Sequence, residues 1–186
     1  MRVIAGKYRG RKLKSPPSIQ TRPTSDRLRE TLFNILAPRI EGARFLDLCA
    51  GTGAVGIEAL SRGAAQVIFV DRSRRMSVLV AANVGSLEAA DPKIEVVTAE
   101  ALEFLRRHMN RDQAEPFDII FFDPPYAEDY EAVLGVIGEH AAGLLQVDGI
   151  VIVEHHKKKE LAEQPPLKRY RELKQGDSVL SFFRVA

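Results

Sequence analysis

Cysteine is almost missing from this chain, and so are long unbroken apolar runs. The single cysteine among 186 residues, Cys49, excludes disulfides within the chain and any clustered-cysteine zinc site. No segment approaches the length of a membrane span. The basic start, MRVIAGKYRG, carries too short an apolar run for a signal peptide, so a cytoplasmic protein is expected. Internal repeats, linkers and a second domain in the carboxyl-terminal tail are also lacking. What remains is an ordinary globular composition, 45% hydrophobic and 28% charged, in a length that suits one domain with a proper core.

The net charge of +2 conceals an asymmetry. Residues 1–39 hold ten Lys/Arg against Asp26 and Glu30, a local net of +8, which leaves residues 40–186 at −6. A basic arm on a mildly acidic body fits a protein that grips a polyanion at one end. Lys7, Arg9, Arg11, Lys12 and Lys14 alternate with Tyr8, Gly10 and Leu13, which predicts a small hairpin turning near Gly10, with Val3 and Ile4 packed inward. The plainer reading is a solvated edge that prevents aggregation. Pro16, Pro17 and Pro23 mark a loop. Thr24 or Ser25 can then cap a three-turn helix, SDRLRETLFNIL, which ends before Pro38. Its apolar face is Leu28, Leu32, Ile35 and Leu36, leaving Arg22, Arg27 and Arg29 to reach a phosphate or a carboxylate. Arg9, Arg11, Arg22 and Arg27 are the candidates for contact with RNA or DNA.

The stretch FDIIFFDPPY reads as a buried central strand ending in a stiff corner. Phe117, Ile119, Ile120, Phe121 and Phe122 suit a parallel strand covered on both faces. Pro124 and Pro125 lack the N–H that would continue the ladder, and Pro124 pushes Asp123 toward extended geometry. Ligands of open α/β sheets bind at that carboxyl edge. There Asp123 and the Pro124 carbonyl can accept both N–H bonds of an exocyclic base amine, while the Tyr126 ring offers a face for stacking. Bonds that strengthen as the nitrogen becomes tetrahedral and positive lower the barrier to alkylation. A proline turn with a solvated aspartate is the alternative.

In ARFLDLCAGTGAVGIEALSRG, Phe45–Leu48 predict a strand and Ala54–Arg62 a helix closed by Gly63. Gly51, Gly53 and Gly56 between them let the backbone approach a ligand. Read literally this is the dinucleotide fingerprint, with Asp71 twenty residues on at the end of QVIFVD, placed to hold ribose hydroxyls. Asp47 separates the readings, because a carboxylate there binds an ammonium and repels a pyrophosphate. With the Asp-Pro-Pro corner, it favours S-adenosylmethionine over a nicotinamide dinucleotide. A loop-stapling role is the alternative for Asp47. Cys49 has no histidine partner nearby and reads as a small buried residue.

Helix and strand alternate beyond Asp71: a helix over 73–84 with Arg72, Arg74 and Arg75 solvated, a strand over 93–97 after Asp91-Pro92, and a helix through Arg107. Glu100 and Ala101 open that helix, where the carboxylate can accept from an adenine amine and the amide N–H can donate to the ring. An ordinary first-turn acid is the competing reading of Glu100. A helix over 128–140, a strand over 149–154 and a closing hairpin around Gln175-Gly176-Asp177 complete the chain. His155 and His156 point to opposite faces of a strand, so they do not form a metal pair, and a solvated turn is expected there, with RNA contact as the second reading. His108 and His140 read as structural.

The chain resembles a class I S-adenosylmethionine-dependent methyltransferase, and in particular the bacterial RsmD family, which methylates N2 of a guanine in 16S ribosomal RNA. RVIAGKYRGRKL, TRPTSDRLRETLFNIL, FLDLCAGTGAVGIEALSRGA, FVD and FDIIFFDPPY carry the resemblance along nearly the whole chain. It implies an α/β Rossmann-like fold with a seven-stranded, mostly parallel sheet and an antiparallel last strand. It also implies a basic hairpin extension over residues 1–20, ahead of a methyltransferase domain over 21–186. Cofactor contacts fall to Asp47, Gly51, Gly53, Asp71, Arg72, Glu100, Ala101 and Asp123, and target-amine roles to Asp123, Pro124, Pro125 and Tyr126. No metal is required. The implied partner is 16S rRNA, within a 30S assembly particle, and the implied state is a monomer. Two features depart from the family pattern: Glu100 stands where Asp is common, and His155-His156 has no assigned role. DNA adenine-N6 or protein glutamine methylation can use the same corner, and a noncatalytic nucleotide-binding module is the reading from another class.

Overall fold

The computed structural model describes residues 1–16, 25–87, 93–112, 114–125 and 129–186. After the amino-terminal arm come α1 (Asp26–Leu36) and a 3-10 turn (Ala37–Arg39), then β1 (Arg44–Leu48), α2 (Ala54–Ser61), β2 (Gln66–Asp71) and α3 (Arg74–Gly85). The second half holds β3 (Lys93–Thr98), α4 (Ala101–Met109), β4 (Phe117–Phe122), α5 (Tyr130–Glu139), the single turn α6 (Ala141–Leu144), β5 (Leu145–His156), β6 (Leu167–Gln175) and β7 (Ser178–Val185). The sheet order is β3-β2-β1-β4-β5-β7-β6. Strands β3 to β5 are parallel, whereas β7 runs antiparallel to both neighbours. This is the Rossmann-like sheet with an antiparallel last strand that the resemblance implied. The order reverses between β1 and β4, and in such sheets the crevice opens at that switch point.

Alternation along the central strands divides the core into two layers. Phe45, Val67, Phe69, Ile119, Phe121, Ile150 and Ile152 pack on one face with α1, α2 and the arm. Leu46, Leu48, Ile68, Val70, Ile120, Phe122, Val151 and Val153 pack on the other with α4 and α5. Because both faces are covered, these strands are apolar almost throughout. Ser25 caps α1 by accepting the Leu28 N–H, as its position before the apolar face predicted.

Several boundaries differ from those read in the sequence. Strand β5 is twelve residues long and reaches His156. The expected solvated turn at His155 is therefore strand, and His155 is buried. The four-residue α6 has no periodic signature to betray it. In the arm, one antiparallel bridge joins Arg2 to Lys12, and the turn spans residues 5–10 in place of a ladder around Gly10. Val3 is buried as predicted but Ile4 is only half-buried, and Tyr8 and Leu13 complete the inward face. The boundary proposed at residue 20, the cap candidate Thr24 and the Asp91-Pro92 turn lie outside the described residues.

Arg29 corrects a second expectation. It is fully buried rather than free to meet a phosphate. Its Nη2 donates to the Arg2 carbonyl at 2.6 Å and to Asp26 Oδ1 at 3.0 Å, and its Nε lies 3.8 Å from Glu58 Oε2. Glu58, on α2, also accepts the Ile4 and Ala5 N–H groups, at 2.8 and 3.0 Å. The helical spacing that makes Arg29 look surface-exposed is overruled by the arm lying across it.

Candidate active site

Strand β1 ends at Leu48, and the chain turns sharply into α2. Cys49 takes a left-handed conformation (φ 64°), and Gly51 and Gly53 also have positive φ. The loop then enters α2 beside Asp47. A Cβ on Gly56 would meet Phe69 Cε1 at 2.3 Å and Asp47 Oδ2 at 3.0 Å, so only glycine lets the helix start this close to the strand ends.

Asp47 is buried, and its Oδ2 accepts the Gly56 N–H at 2.9 Å. Burial pushes its carboxyl up to about 7, opposed by that hydrogen bond and assisted by the charge of Asp71. Asp71, at the end of β2, accepts the Gly51 N–H at Oδ2 and the Ser73 N–H at Oδ1, both at 2.8 Å. Burial raises its carboxyl as well, opposed by the Ser73 and Gly51 N–H groups. Each oxygen keeps a second lone pair for a hydroxyl. Asp47 thus staples the loop, the alternative its sequence position suggested, while also lining the cleft.

A cleft of about 380 Å³ opens along these strand ends. Asp47, Gly51, Asp71, Arg72, Glu100 and Ala101 line one end of it. Glu100 is exposed just before α4 and makes no capping bond through its side chain, and Ala101 begins the helix. Gly53 supports the loop from behind, its Cα hydrogen facing Val80 and Phe69. At the other end stand Asp123, Pro124 and Pro125, with Tyr130, Glu154 and His155. Asp123 is half-buried, and its N–H donates to the Leu48 carbonyl at 3.3 Å, continuing the β4–β1 pairing one residue beyond β4. Pro124 is buried and Pro125 exposed. Tyr126 lies outside the described residues, as does Arg22. Arg9, Arg11 and Arg27 are exposed, and Arg9 and Arg27 share a recess with Arg2, Asp26 and Glu30.

Tyr130, Glu154 and His155 are among the cleft-lining residues that sequence reasoning did not place there. Tyr130 opens α5, is buried edge-on against Phe122 at 5.8 Å, and its hydroxyl reaches the Pro124 carbonyl at 3.5 Å. It therefore helps to aim the carbonyl assigned to the target amine. His155 donates its Nδ1–H to the His156 carbonyl at 3.1 Å, leaving Nε2 to accept from Ser181 Oγ at 2.9 Å. Burial lowers its pKa, consistent with that neutral ring. The usable signal for Glu154 and His155 was position: they end the strand next to β4. His108 is structural as expected, buried between Phe104 and Phe117.

No cluster of three metal-ligating side chains occurs among the described residues, and none of their helices is long and apolar enough to cross a membrane.

A glycine turn flanked by strand-end acids, facing an Asp-Pro-Pro corner across the switch point of this sheet, defines a class I methyltransferase. The family model described as Conserved hypothetical protein 95 matches residues 1–184. The chain belongs to that family, the RsmD methyltransferases. It is 38% identical over 166 residues to ribosomal RNA small subunit methyltransferase D of Escherichia coli (strain K12), covering 89% of this chain and 79% of that one. It is 41% identical over 164 residues to YlbH of Bacillus subtilis (strain 168), covering 88% and 86%. The solved structure of yhhF from Escherichia coli superimposes with a TM-score of 0.84 at 34% identity, covering 100% of this chain and 97% of that one.

Proposed function

We propose that this protein transfers a methyl group from S-adenosylmethionine to the N2 amine of a guanine in 16S ribosomal RNA during small-subunit assembly, acting as a cytoplasmic monomer. The observation that carries the reading is one continuous cleft with two chemically different ends. At one end, Asp47 and Asp71 stand over the Gly51–Gly56 turn, and Glu100 and Ala101 open α4. At the other, Asp123 and Pro124 line the cleft where β4 ends beside β1. The acids suit the ammonium and ribose hydroxyls of S-adenosylmethionine, and the first N–H of α4 suits its adenine. That cofactor supplies an electrophilic methyl group when bound.

The residues of this chain do the rest by placement. Asp123 and the Pro124 carbonyl accept the two N–H bonds of the amine, which aims the nitrogen lone pair toward the glycine turn. These bonds strengthen as positive charge develops on nitrogen. Holding donor and acceptor in line replaces a bimolecular encounter with an oriented one. The guanine enters the cleft unstacked, with the Tyr126 ring assigned to stack upon it. The names of the Escherichia coli relative and of other family members support ribosomal RNA as the substrate class.

The test supplies labelled S-adenosylmethionine with naked small-subunit rRNA, 30S particles, DNA and protein, and identifies the product by mass spectrometry. N2-methylguanine in the small-subunit rRNA is the expected product. Label in adenine, in glutamine or in nothing overturns the reading in favour of its rivals. Asp123→Ala is expected to reduce single-turnover transfer by about 100-fold to 1,000-fold, with cofactor affinity measured by calorimetry almost unchanged. A variant with near-normal rate removes Asp123 from the chemistry.

A further inference from the structure

Resting on the guanine-N2 reading above, we infer that Glu154 is the residue that selects guanine, by accepting the N1–H of the same base whose N2 amine is held by Asp123. Three observations place it there. First, Phe122 pairs with Val153 in the β4–β5 ladder, so Glu154 follows Val153 as Asp123 follows Phe122. Second, Ile119, Phe121, Ile150 and Ile152 share one core layer. The period-two alternation of strands then sends Asp123 and Glu154 to that same face. Third, Glu154 is only 7% exposed yet lines the cleft together with Asp123 and Pro124. In the sheet order, β5 lies on the far side of β4 from the glycine turn. Glu154 therefore stands beyond Asp123, at the acceptor end.

The chemistry follows from this side-by-side placement. Neighbouring strands run about 4.8 Å apart, so two carboxylates leave the sheet edge in parallel. The Watson–Crick edge of guanine offers two adjacent donors, N2–H and N1–H, which match two adjacent acceptors. The rival targets do not match. The N6 amine of adenine is flanked by N1 and N7, both lone pairs, and the amide nitrogen of glutamine is flanked by its own carbonyl oxygen. Either would turn a lone pair toward the buried Glu154 carboxylate, leaving acceptor against acceptor. A ligand lone pair turned against a buried carboxylate oxygen rejects the wrong ligand more strongly than a missing apolar contact does.

The discriminating substrate is one that keeps the 2-amine and loses the N1–H. Small-subunit rRNA carrying guanosine or 2-aminopurine ribonucleoside at the methylated nucleotide, assembled into 30S particles, provides the pair. For the wild type, kcat/KM is expected to favour guanine by about 100-fold. In Glu154→Gln the carboxamide can turn its N–H toward the bare N1, and the preference is expected to fall at least tenfold. The ratio is taken within one protein, so a smaller folded fraction cancels. Comparison with the wild type also removes the effect of the O6 that 2-aminopurine lacks.

A wild-type ratio near one overturns the inference, as does a Glu154→Gln ratio equal to that of the wild type. Loss of both activities with S-adenosylhomocysteine still bound overturns it too, because Glu154 then serves the transfer itself. If Glu154→Gln no longer binds S-adenosylhomocysteine, the ratio is read on Glu154→Asp, which withdraws the acid by one methylene. An unchanged ratio there is again fatal. Wild-type protein that methylates no guanine sinks the proposed function instead, whereas guanine methylation with an unaltered ratio sinks only the role of Glu154.

Discussion

Two demands pull the protonation of Asp47 in opposite directions. Burial favours its neutral form and pushes its carboxyl up to about 7, although the Gly56 N–H it accepts opposes that rise. As the proposed receptor for an ammonium it would have to be ionised. Because the folded-state value lies above the unfolded one, Asp47 favours folding most in acid, and that contribution disappears as pH rises to about 7. Asp47→Asn keeps an acceptor for the Gly56 N–H without the titration. The stability of this variant relative to wild type, from urea melts, should therefore grow by up to about 1.4 kcal/mol per pH unit across that window and level off above it. Cofactor affinity should show the reverse sign. In the wild type it should weaken below about pH 7 as Asp47 takes up its proton, and in Asp47→Asn it should be weak and flat. The place of Asp47 and Asp123 at the cleft was legible in the sequence because glycines and prolines announce unusual backbone beside them. Tyr130 and Glu154 carried no such flag, since a tyrosine opening a helix and an acid ending a strand are commonplace until the fold shows which edge they share.

At the level of elements, the arm is fastened to three helices by buried polar groups. Glu58 of α2 accepts two of its N–H groups, and Ser61 accepts the Lys7 N–H through its carbonyl and the Tyr8 N–H through Oγ, at 2.7 and 2.9 Å. Asn83 of α3 accepts the Lys14 N–H at 2.8 Å and donates to the Lys14 carbonyl at 3.1 Å. Gly6 lies so close to α2 that a Cβ would sit 1.8 Å from the Ser61 carbonyl oxygen. Removing Glu58 would leave the buried Arg29 guanidinium with the exposed Asp26 as its remaining carboxylate among the described residues, where its Nε and Nη1 have no hydrogen-bond partner. Burial lowers the pKa of Arg29 while Asp26 and Glu58 raise it. Glu58→Ala should thus cost about 3–5 kcal/mol of stability, read from denaturant midpoints, and should expose the arm to limited proteolysis. A loss under 1 kcal/mol, roughly what a surface pair contributes, would mean the arm is held by Val3, Tyr8 and Leu13 and by its bonds to Ser61 and Asn83, without help from Glu58. Helix α1, its Ser25 cap and the closing hairpin were readable in advance from caps, periodicity and a glycine turn. The docking of the arm was not, because Arg29 and Glu58 look like surface charges in any helical projection.

For the whole molecule, the basic segment lies against the machinery it accompanies. Asn83 donates to the Thr52 carbonyl, at 3.0 Å, as well as bonding Lys14, and Met1 Sδ accepts from the Thr52 hydroxyl at 3.7 Å, so the arm touches the glycine turn at Met1 and is joined to it through Asn83 at Lys14. RNA drawn to Arg9, Arg11 and Arg27 would meet the arm first, with the net charge of −6 over residues 40–186 discouraging approach elsewhere. Arg9→Ala and Arg11→Ala should each weaken RNA binding and flatten the dependence of log affinity on log salt by about 0.7–0.9 per lost phosphate contact. An unchanged slope in filter-binding or fluorescence titrations would exclude the arm from the RNA interface. The sequence by itself determined the alternation of strands and helices, the glycine turn, the Asp-Pro-Pro corner and the charge asymmetry, because each is written in local backbone preference or in composition. Only the tertiary structure decided which strand ends are neighbours, and with that the presence of Asp123 and Glu154 in one cleft, the burial of His155 and Arg29, and the contact between arm and cleft. Sheet order and helix docking are set by long-range burial, and no local stretch of chain encodes them.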